Sequence, residues 1–270
     1  MSSLLALLLV ASPPSWMKLS DAERSAAVAS LEPRPLGERL LVASERFKGT
    51  PYVFSPLGEG QGKDPDPLIR YDAVDCLTFV ETTMALALAP RPEEVEPTLT
   101  RIRYRANPVY EERNHLMEAD WIPNNIAKGF IADVTRTYGK SDAVTVSKTY
   151  TDETWSSKSA TDLGLPKDHQ AKGTFSLSMI PIKKFVARAA GAPAGTLVVV
   201  VRKDQPDLVT RISHVGMLVH EKGRAFLRHA ALGEKEVIDE PLEHFVERHA
   251  AFQKWPVEGF ALYAVTGTGG

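Results

Sequence analysis

Cys76 is the only cysteine among 270 residues, and it lies where a helix is predicted to begin. Asp75 has the type and position of an N-cap residue, and the apolar residues Leu77, Val80 and Met84 follow at helical spacing. A thiol in the first helical turn lies near free backbone N–H groups and the positive end of the helix dipole, which favours the thiolate. The pattern indicates a nucleophile, and a small buried residue is the alternative for a lone cysteine.

Two histidines have the spacing of a base and its partner. A nucleophilic thiol needs a base within hydrogen-bond reach, and that base needs a group that orients it. His214 begins a β-rich segment, and His229 follows beyond a predicted hairpin turn at residues 221–224. In a hairpin register the two imidazoles can lie on the same side of the sheet. His214 would accept the thiol proton and His229 would fix its tautomer, whereas a structural role is the alternative for each ring.

The composition restricts the classes of function. A net charge of −2 argues against a nucleic-acid partner, which would require a basic surface. A single cysteine excludes an intramolecular disulfide and any cysteine-rich zinc or iron–sulfur site. We expect no metal and no cofactor.

The N-terminus carries an apolar run at residues 4–11 that is too short to span a bilayer. Residues 1–16 are interpreted as a possible signal peptide, although the usual positive residues ahead of the run are missing. We expect an exported protein of the periplasm or cell envelope. Translation from Met17 would instead give a cytoplasmic protein. No later stretch is long and apolar enough for a stable membrane span.

The order of the predicted elements indicates an α+β fold. Residues 19–48 have the periodicity of helices, and the β-rich runs from residue 195 onward are separated by turns. N-terminal helices, including the one that begins at Cys76, should therefore pack on a C-terminal antiparallel β-sheet. Residues 140–175 are polar and weakly periodic, and we interpret them as an excursion with one or two edge strands.

Four motifs occur in the order that is typical of NlpC/P60 cysteine peptidases. They are Gly49-Thr50-Pro51-Tyr52, Asp75-Cys76-Leu77-Thr78-Phe79-Val80-Glu81, Ser213-His214-Val215-Gly216 and Arg228-His229-Ala230. The second motif, preceded by the loop at residues 55–60, resembles one branch of that superfamily. This branch is the DUF1460 family of N-acetylmuramoyl-L-alanine amidase-like proteins, and the similarity extends over most of the chain. Residues 19–270 are accordingly interpreted as a single catalytic domain of this type.

The resemblance implies a papain-like fold in which Cys76, His214 and His229 form a catalytic triad. It also implies that the Tyr52 hydroxyl approaches the nucleophile and helps to bind the oxyanion, whereas packing on the core is the alternative for this residue. The implied reaction is hydrolysis of the amide that joins the MurNAc lactyl group to L-Ala, so peptidoglycan fragments would be the partner of a monomeric enzyme. Relatives in the wider superfamily cut γ-D-Glu–diaminopimelate bonds with the same triad, and that alternative stays open.

Substrate-binding residues are expected in two places. Asp75 could accept a hydrogen bond from a substrate amide or amine, and Ser213 could form one at the cleft rim. Residues 111–125 are rich in hydrogen-bonding side chains and include an aromatic group suited to sugar or peptide. The candidates in this segment are Asp120, Trp121, Asn124 and Asn125. A surface loop stapled by a buried tryptophan is the alternative.

Other functional classes have weaker support. His115, Glu118 and Asp120, or His214 and His229 with a carboxylate, could form the zinc site of a metal-dependent amidase. No His-Glu-x-x-His motif accompanies them. A non-catalytic wall-binding module is a third class, and the intact cysteine and two histidines argue against it. No Gly-x-Ser-x-Gly motif indicates a serine hydrolase.

Overall fold

The structure is a computed structural model that describes residues 13–267. The helices of the N-terminal half are α1 (Asp21–Ala29), α2 (Leu36–Glu45), α3 (Cys76–Leu88), α4 (Val95–Arg103), α5 (Ile122–Ala127) and α6 (Thr135–Gly139). Those of the C-terminal half are α7 (Asp152–Trp155), α8 (Lys158–Thr161), α9 (Ile182–Ala189) and α10 (Leu242–Ala251). The strands are β1 (Ile131–Asp133), β2 (Val144–Tyr150), β3 (Gly173–Pro181), β4 (Leu197–Arg202), β5 (Ile212–Glu221), β6 (Arg224–Ala231), β7 (Glu236–Pro241) and β8 (Val257–Val265).

The strands form one antiparallel sheet in the order β2-β3-β8-β4-β5-β6-β7, and β1 pairs with β8 beside β3. Most of the N-terminal helices precede the sheet in the chain, so the predicted α+β class is confirmed. The polar segment 140–175 forms β2, α7, α8 and the start of β3 at one edge of the sheet. Its edge strands therefore agree with the sequence pattern.

Helices cover both faces of the sheet, which explains why β4 is apolar from Leu197 to Val201. Val199 and Val201 belong to the core that includes α3, whereas Val198 and Val200 belong to the core that includes α9 and α10. Successive residues of a strand point to opposite faces, so a strand covered on both sides reads as a continuous apolar run. β4 thus lies in the middle of the sheet, next to the strand that contains His214.

The helix α3 begins at a reciprocal cap between two residues of the cysteine motif. The Asp75 carboxylate accepts a hydrogen bond from the Thr78 backbone N–H at 2.8 Å, and the Thr78 hydroxyl accepts one from the Asp75 N–H at 2.8 Å. Such caps contribute about 1 kcal/mol and fix where a helix starts. The cap therefore fixes Cys76 in the first turn, and the rest of α3 is almost entirely buried.

Trp16 lies at the boundary of the predicted signal segment and belongs to the core. Its side chain has no exposed surface, and its Nε1 donates a hydrogen bond to the Ala43 carbonyl at 2.8 Å. The apolar run at residues 4–11 lies outside the described residues, so the signal peptide stays a prediction. In the described part of the chain, no helix has both the length and the hydropathy needed to cross a membrane.

Candidate active site

The thiol of Cys76 lies where α3 packs against β5, and its side chain remains partly exposed. Burial, followed by the Asp75 carboxylate, raises the pKa of Cys76 to about 12. Hydrogen bonds from the backbone at Val215, Leu77 and Cys76 itself act in the opposite direction and are too weak to prevail. This upward shift of the pKa opposes the expected effect of the helix start and favours the neutral thiol in the resting protein.

Strand β5 lies against the helix that begins at Cys76. Val215 directly follows His214 in β5, and its backbone lowers the pKa of Cys76, so the thiol lies near this strand. The His214 ring itself is on the α10 side of the sheet, with its centroid 6.0 Å from that of Phe245. Among the residues that the structure describes, no hydrogen bond joins the sulfur to the His214 ring itself. Catalytic hydrogen bonds are often long in a free enzyme and shorten when substrate binds.

The two predicted imidazoles meet each other directly. His214 Nε2 lies 2.8 Å from His229 Nδ1, and the rings are perpendicular, with centroids 4.9 Å apart. Gly216 makes this possible, because a Cβ atom at that position would lie 3.0 Å from the Cβ of His229. The predicted approach of the two rings across the β5–β6 hairpin is therefore confirmed.

Glu240 extends the chain of hydrogen bonds, and sequence reasoning missed it. Its Oε2 lies 3.1 Å from His229 Nε2, and Arg248 donates to both of its carboxylate oxygens. Burial alone would raise the pKa of Glu240, but the hydrogen bonds from His229 and Arg248 bring it down to about 2. Glu240 is therefore ionised and can only accept hydrogen bonds.

The hydrogen-bond pattern assigns the tautomer of each ring. Since the Glu240 carboxylate only accepts, His229 must carry its proton on Nε2, which leaves Nδ1 of a neutral His229 as an acceptor. His214 must then donate from Nε2, and its Nδ1 is left with a free lone pair. Burial, and then the neighbouring His229, lower the pKa of His214 well below its usual value. His214 is thus a neutral base whose accepting nitrogen is Nδ1.

Tyr52 lies close to the thiol. Burial raises the pKa of Tyr52 to about 12, and the nearby Cys76 and Asp75 act in the same direction. Its backbone N–H donates to the Lys235 carbonyl at 2.8 Å, and it forms an isolated bridge with Val74, just ahead of α3. The hydroxyl therefore stays protonated and is able to donate a hydrogen bond.

Both oxygens of the Asp75 carboxylate accept hydrogen bonds from backbone N–H groups of the protein. One oxygen accepts from the Thr78 N–H, and the other accepts from the Ser55 N–H at 3.1 Å. The structure thus favours the capping role of Asp75 over a contact with substrate. Ser213 lies at the start of β5, and its Oγ accepts a hydrogen bond from Arg202 Nε at 2.6 Å.

Two of the predicted substrate-binding residues in the segment 111–125 are buried in the protein. Trp121 has no exposed surface and donates from Nε1 to the Glu81 carboxylate at 2.8 Å. Asn125 is also fully buried, and its amide donates to the carbonyls of Ile102 and Trp121. Side chains enclosed in this way have no surface for a sugar or a peptide, so the expectation of substrate contact is corrected for both residues. The buried tryptophan that staples a loop describes them better.

The other two candidates in that segment also have internal partners. Asp120 accepts a hydrogen bond from the Leu116 N–H at 3.0 Å, and burial raises the pKa of its carboxyl group. Asn124 is partly exposed and donates to the Asn114 side chain at 2.6 Å. Both side chains therefore support the loop, and substrate contact by them stays a prediction.

A cavity of about 430 Å³ opens beside the imidazoles on the α10 side of the sheet. Its wall includes Arg202, Ser213, His214, His229 and Glu240. The volume is in the range of small-molecule sites. The cavity therefore gives a ligand access to the histidine pair, whereas neither Cys76 nor Tyr52 belongs to its wall.

The residues considered for zinc are not arranged around a common point. Within residues 13–267, no group of three or more histidine, cysteine, aspartate or glutamate side chains is placed to hold a metal ion. The Glu118 carboxylate instead accepts hydrogen bonds from the Thr210 hydroxyl at 2.7 Å and the Arg211 N–H at 2.8 Å. His115 Nε2 lies 2.7 Å from the Tyr110 carbonyl.

Comparison with solved structures shows that this fold occurs in proteins of two bacteria. A Legionella pneumophila protein assigned to DUF1460 has a TM-score of 0.80 and 20% identity, with 92% of this chain and 95% of that chain covered. A Bacteroides uniformis protein described as an N-acetylmuramoyl-L-alanine amidase has a TM-score of 0.68 and 24% identity, with coverages of 86% and 99%. At these identities the likeness concerns the fold alone.

The sequence itself matches a family model. No curated protein matches the chain significantly. The model of the AmiA-like family, described as N-acetylmuramoyl-L-alanine amidase-like, matches residues 42–252, which include the cysteine, both histidines and Glu240. Since this match covers most of the chain, the protein belongs to the AmiA-like family of N-acetylmuramoyl-L-alanine amidase-like proteins, and it is a hydrolase that acts on amide bonds.

Proposed function

We propose that the protein is a cysteine-dependent amidase of the NlpC/P60 type, with a papain-like fold, that hydrolyses the MurNAc–L-Ala amide of peptidoglycan fragments. The observation that carries the proposal is the hydrogen-bonded pair of His214 and His229 on the adjacent strands β5 and β6, both of which pack against the helix that begins at Cys76. The family supports the class of bond, since its members are described as amidase-like for N-acetylmuramoyl-L-alanine. The Bacteroides uniformis amidase has the same fold, which is consistent with that choice.

The first half of the reaction starts from a neutral pair of side chains. As the Cys76 sulfur attacks the carbonyl carbon of the lactyl amide, His214 Nδ1 takes the thiol proton. Charge then develops on the former carbonyl oxygen, which needs preorganised donors. The Cys76 backbone N–H and the Tyr52 hydroxyl supply them in this proposal.

The second half releases the two products. The protonated His214 gives its proton to the amide nitrogen, the C–N bond breaks, and the peptide leaves with a free L-Ala amine. The muramoyl group stays on the sulfur as a thioester. His214 then takes a proton from water, which attacks the thioester and releases the muramoyl acid and the thiol. His229 and the ionised Glu240 stabilise the imidazolium that forms in each half.

Mass spectrometry of the products tests the proposal directly. Purified protein is incubated with MurNAc-tripeptide that contains L-Ala, D-Glu and diaminopimelate. Release of MurNAc and intact tripeptide is expected, whereas release of free diaminopimelate would identify the γ-D-Glu–diaminopimelate endopeptidase instead. A chelator should leave the rate unchanged and a thiol alkylator should abolish it; the reverse result would indicate the zinc-dependent alternative.

Cys76→Ala is the decisive variant. It should abolish hydrolysis and leave the melting temperature nearly unchanged, because the side chain is small and partly exposed. His229→Ala should retain weak turnover, since His229 orients the base and does not touch the thiol. An active Cys76→Ala protein would eliminate the nucleophile, and full activity in His229→Ala would remove that ring from the triad. We also propose that the protein is exported and monomeric, which fractionation of cells and light scattering test.

A further inference from the structure

Arg202 is a buried cation in the wall of the cavity beside His214. Only 8% of its surface is exposed, and no carboxylate within residues 13–267 forms a salt bridge with it. Its guanidinium instead donates to the Ser213 hydroxyl at 2.6 Å and to the Trp255 carbonyl, and lies 3.5 Å from the His249 ring. The polar partners of the guanidinium are therefore uncharged at neutral pH, and its other close neighbours are the aromatic rings of Phe252 and Trp255, whose centroids lie 5.2 Å and 5.0 Å away.

Other arginines of the same sheet show what a paired charge looks like. Arg211 forms a salt bridge with Glu258, and Arg228 forms them with Glu45 and Asp239. Burying a cation without a counter-charge is costly, and proteins normally compensate it with a nearby carboxylate. Burial lowers the pKa of Arg202, and no neighbouring carboxylate opposes this effect. The positive charge at Arg202 is thus left available for an anion that enters the cavity.

Among the other charged groups of the cavity wall, Glu234 is exposed to solvent, and those described next are paired or uncharged. Arg248 is paired with Glu240, and Asp239 is paired with Arg228 and Lys48. Burial, and then the charges of Arg248 and Arg202, lower the pKa of His249 to about 4, so its ring is neutral near pH 7. An incoming anion would therefore be attracted to Arg202 in particular.

Ser213 connects this charge with the reaction centre. It directly precedes His214 and lines the same cavity, and its Oγ accepts from Arg202, which leaves its own hydroxyl hydrogen free to donate. A guanidinium and a hydroxyl side by side match the two oxygens of a carboxylate. A carboxylate held here would lie within one residue of the base.

We propose that Arg202 and Ser213 form a subsite that binds a free carboxylate on the peptide part of the substrate. This inference rests on the proposed function. In a MurNAc-peptide the lactyl carboxyl group is consumed in the scissile amide, so a free carboxylate can come only from the peptide. The subsite therefore holds the leaving peptide, and it selects peptides whose acid group next to L-Ala is not amidated.

Two matched substrates test the subsite. One is MurNAc-L-Ala-D-Glu, and the other is the same compound with both glutamate carboxylates converted to primary amides. For the unmodified protein we expect kcat/KM to be about 10- to 100-fold higher for the acid, the range of a charge-assisted hydrogen bond. In Arg202→Met the two substrates should be hydrolysed equally well. Arg202→Lys, which keeps the charge, should retain part of the preference.

The control separates this role from a structural one. Arg188 pairs with Asp142, away from the cavity wall, and Arg188→Met should keep the full preference for the acid. If Arg202 has only a structural role, Arg202→Met should lower the rates for both substrates by the same factor, and this result would overturn the subsite. Equal rates for the two substrates with the unmodified protein would overturn it as well. If the unmodified protein hydrolyses neither compound, the proposed function itself fails, and the subsite fails with it.

Discussion

His229 Nε2 lies 3.1 Å from the Glu240 carboxylate, and this contact determines where the protons of the histidine pair reside. An ionised acceptor at one end makes His229 donate toward it, and a neutral His229 then accepts from His214. The nitrogen of His214 that remains free is Nδ1. Glu240 thus acts on the thiol through two rings, as a positioning residue that touches neither the sulfur nor the substrate.

Replacing Glu240 tests this relay. Glu240→Gln should lower kcat by about 10- to 100-fold with little change in KM, because an amide does not stabilise the imidazolium and no longer fixes the tautomer. Steady-state kinetics on MurNAc-L-Ala-D-Glu measure the effect. Glu243→Gln, at an exposed position of α10, is the matched control and should behave as the unmodified protein. An unchanged kcat in Glu240→Gln would exclude the relay.

The same carboxylate should make stability depend on pH. The pKa of Glu240 is lowered from 4.5 to about 2 in the folded protein, so its ionised form favours folding. That contribution is present above about pH 4.5, the unfolded-state pKa, and is lost as the pH falls toward 2. Urea unfolding should show a smaller loss of stability over this interval for Glu240→Gln than for the unmodified chain. Identical slopes would contradict the assignment.

Alkylation distinguishes a neutral thiol at Cys76 from a thiolate. Burial and the Asp75 carboxylate raise the pKa of Cys76 to about 12, so the thiolate fraction is very small at pH 7 and grows as the pH rises. Iodoacetamide should therefore label the folded protein more slowly than the urea-unfolded chain, which carries the same single thiol. A fast rate that is flat between about pH 5 and pH 8 would instead reveal a thiolate–imidazolium pair.

Removing the Tyr52 hydroxyl should affect the chemical step. Tyr52→Phe should lower kcat by about 10- to 1,000-fold and leave KM and the melting temperature nearly unchanged, as expected for a lost oxyanion donor. Tyr71→Phe is the control, since the ring of Tyr71 packs against Trp16 in the core. If both variants lose the same activity, Tyr52 has no special relation to the oxyanion.

Trp16 should contribute strongly to stability. Trp16→Ala removes a fully buried indole and its hydrogen bond to Ala43, and should lower the free energy of unfolding by about 3–5 kcal/mol. Denaturant titration of the purified chain measures this change, and Met17→Ala, next to it and 38% exposed, should cost far less. A chain that begins at Met17 should lose as much stability as Trp16→Ala does. If either protein were as stable as the unmodified chain, the core role of the indole would be refuted.

Features that depend on residues close in sequence were predictable. The start of α3 follows from a cap between Asp75 and Thr78, three positions apart, and from the apolar spacing behind it. The approach of His214 and His229 follows from one hairpin and the alternation of side chains along its strands. The α+β class follows in the same way from the order of helical and β-rich segments. These patterns are local, so they can be recognised in a single sequence.

Long-range packing decided the rest. Glu240 reaches the histidine pair only through the pairing of β6 with β7, in which Ile238 lies opposite His229 and Glu240 lies opposite Leu227. From the sequence, Trp121 could be either a binding platform or a buried staple, and it is buried, with its indole donating to Glu81, forty positions earlier. The sequence alone determined which groups could do chemistry and in which elements they lie. Tertiary structure decided their protonation and exposure, because both depend on the solvent and charges that distant segments remove or bring near.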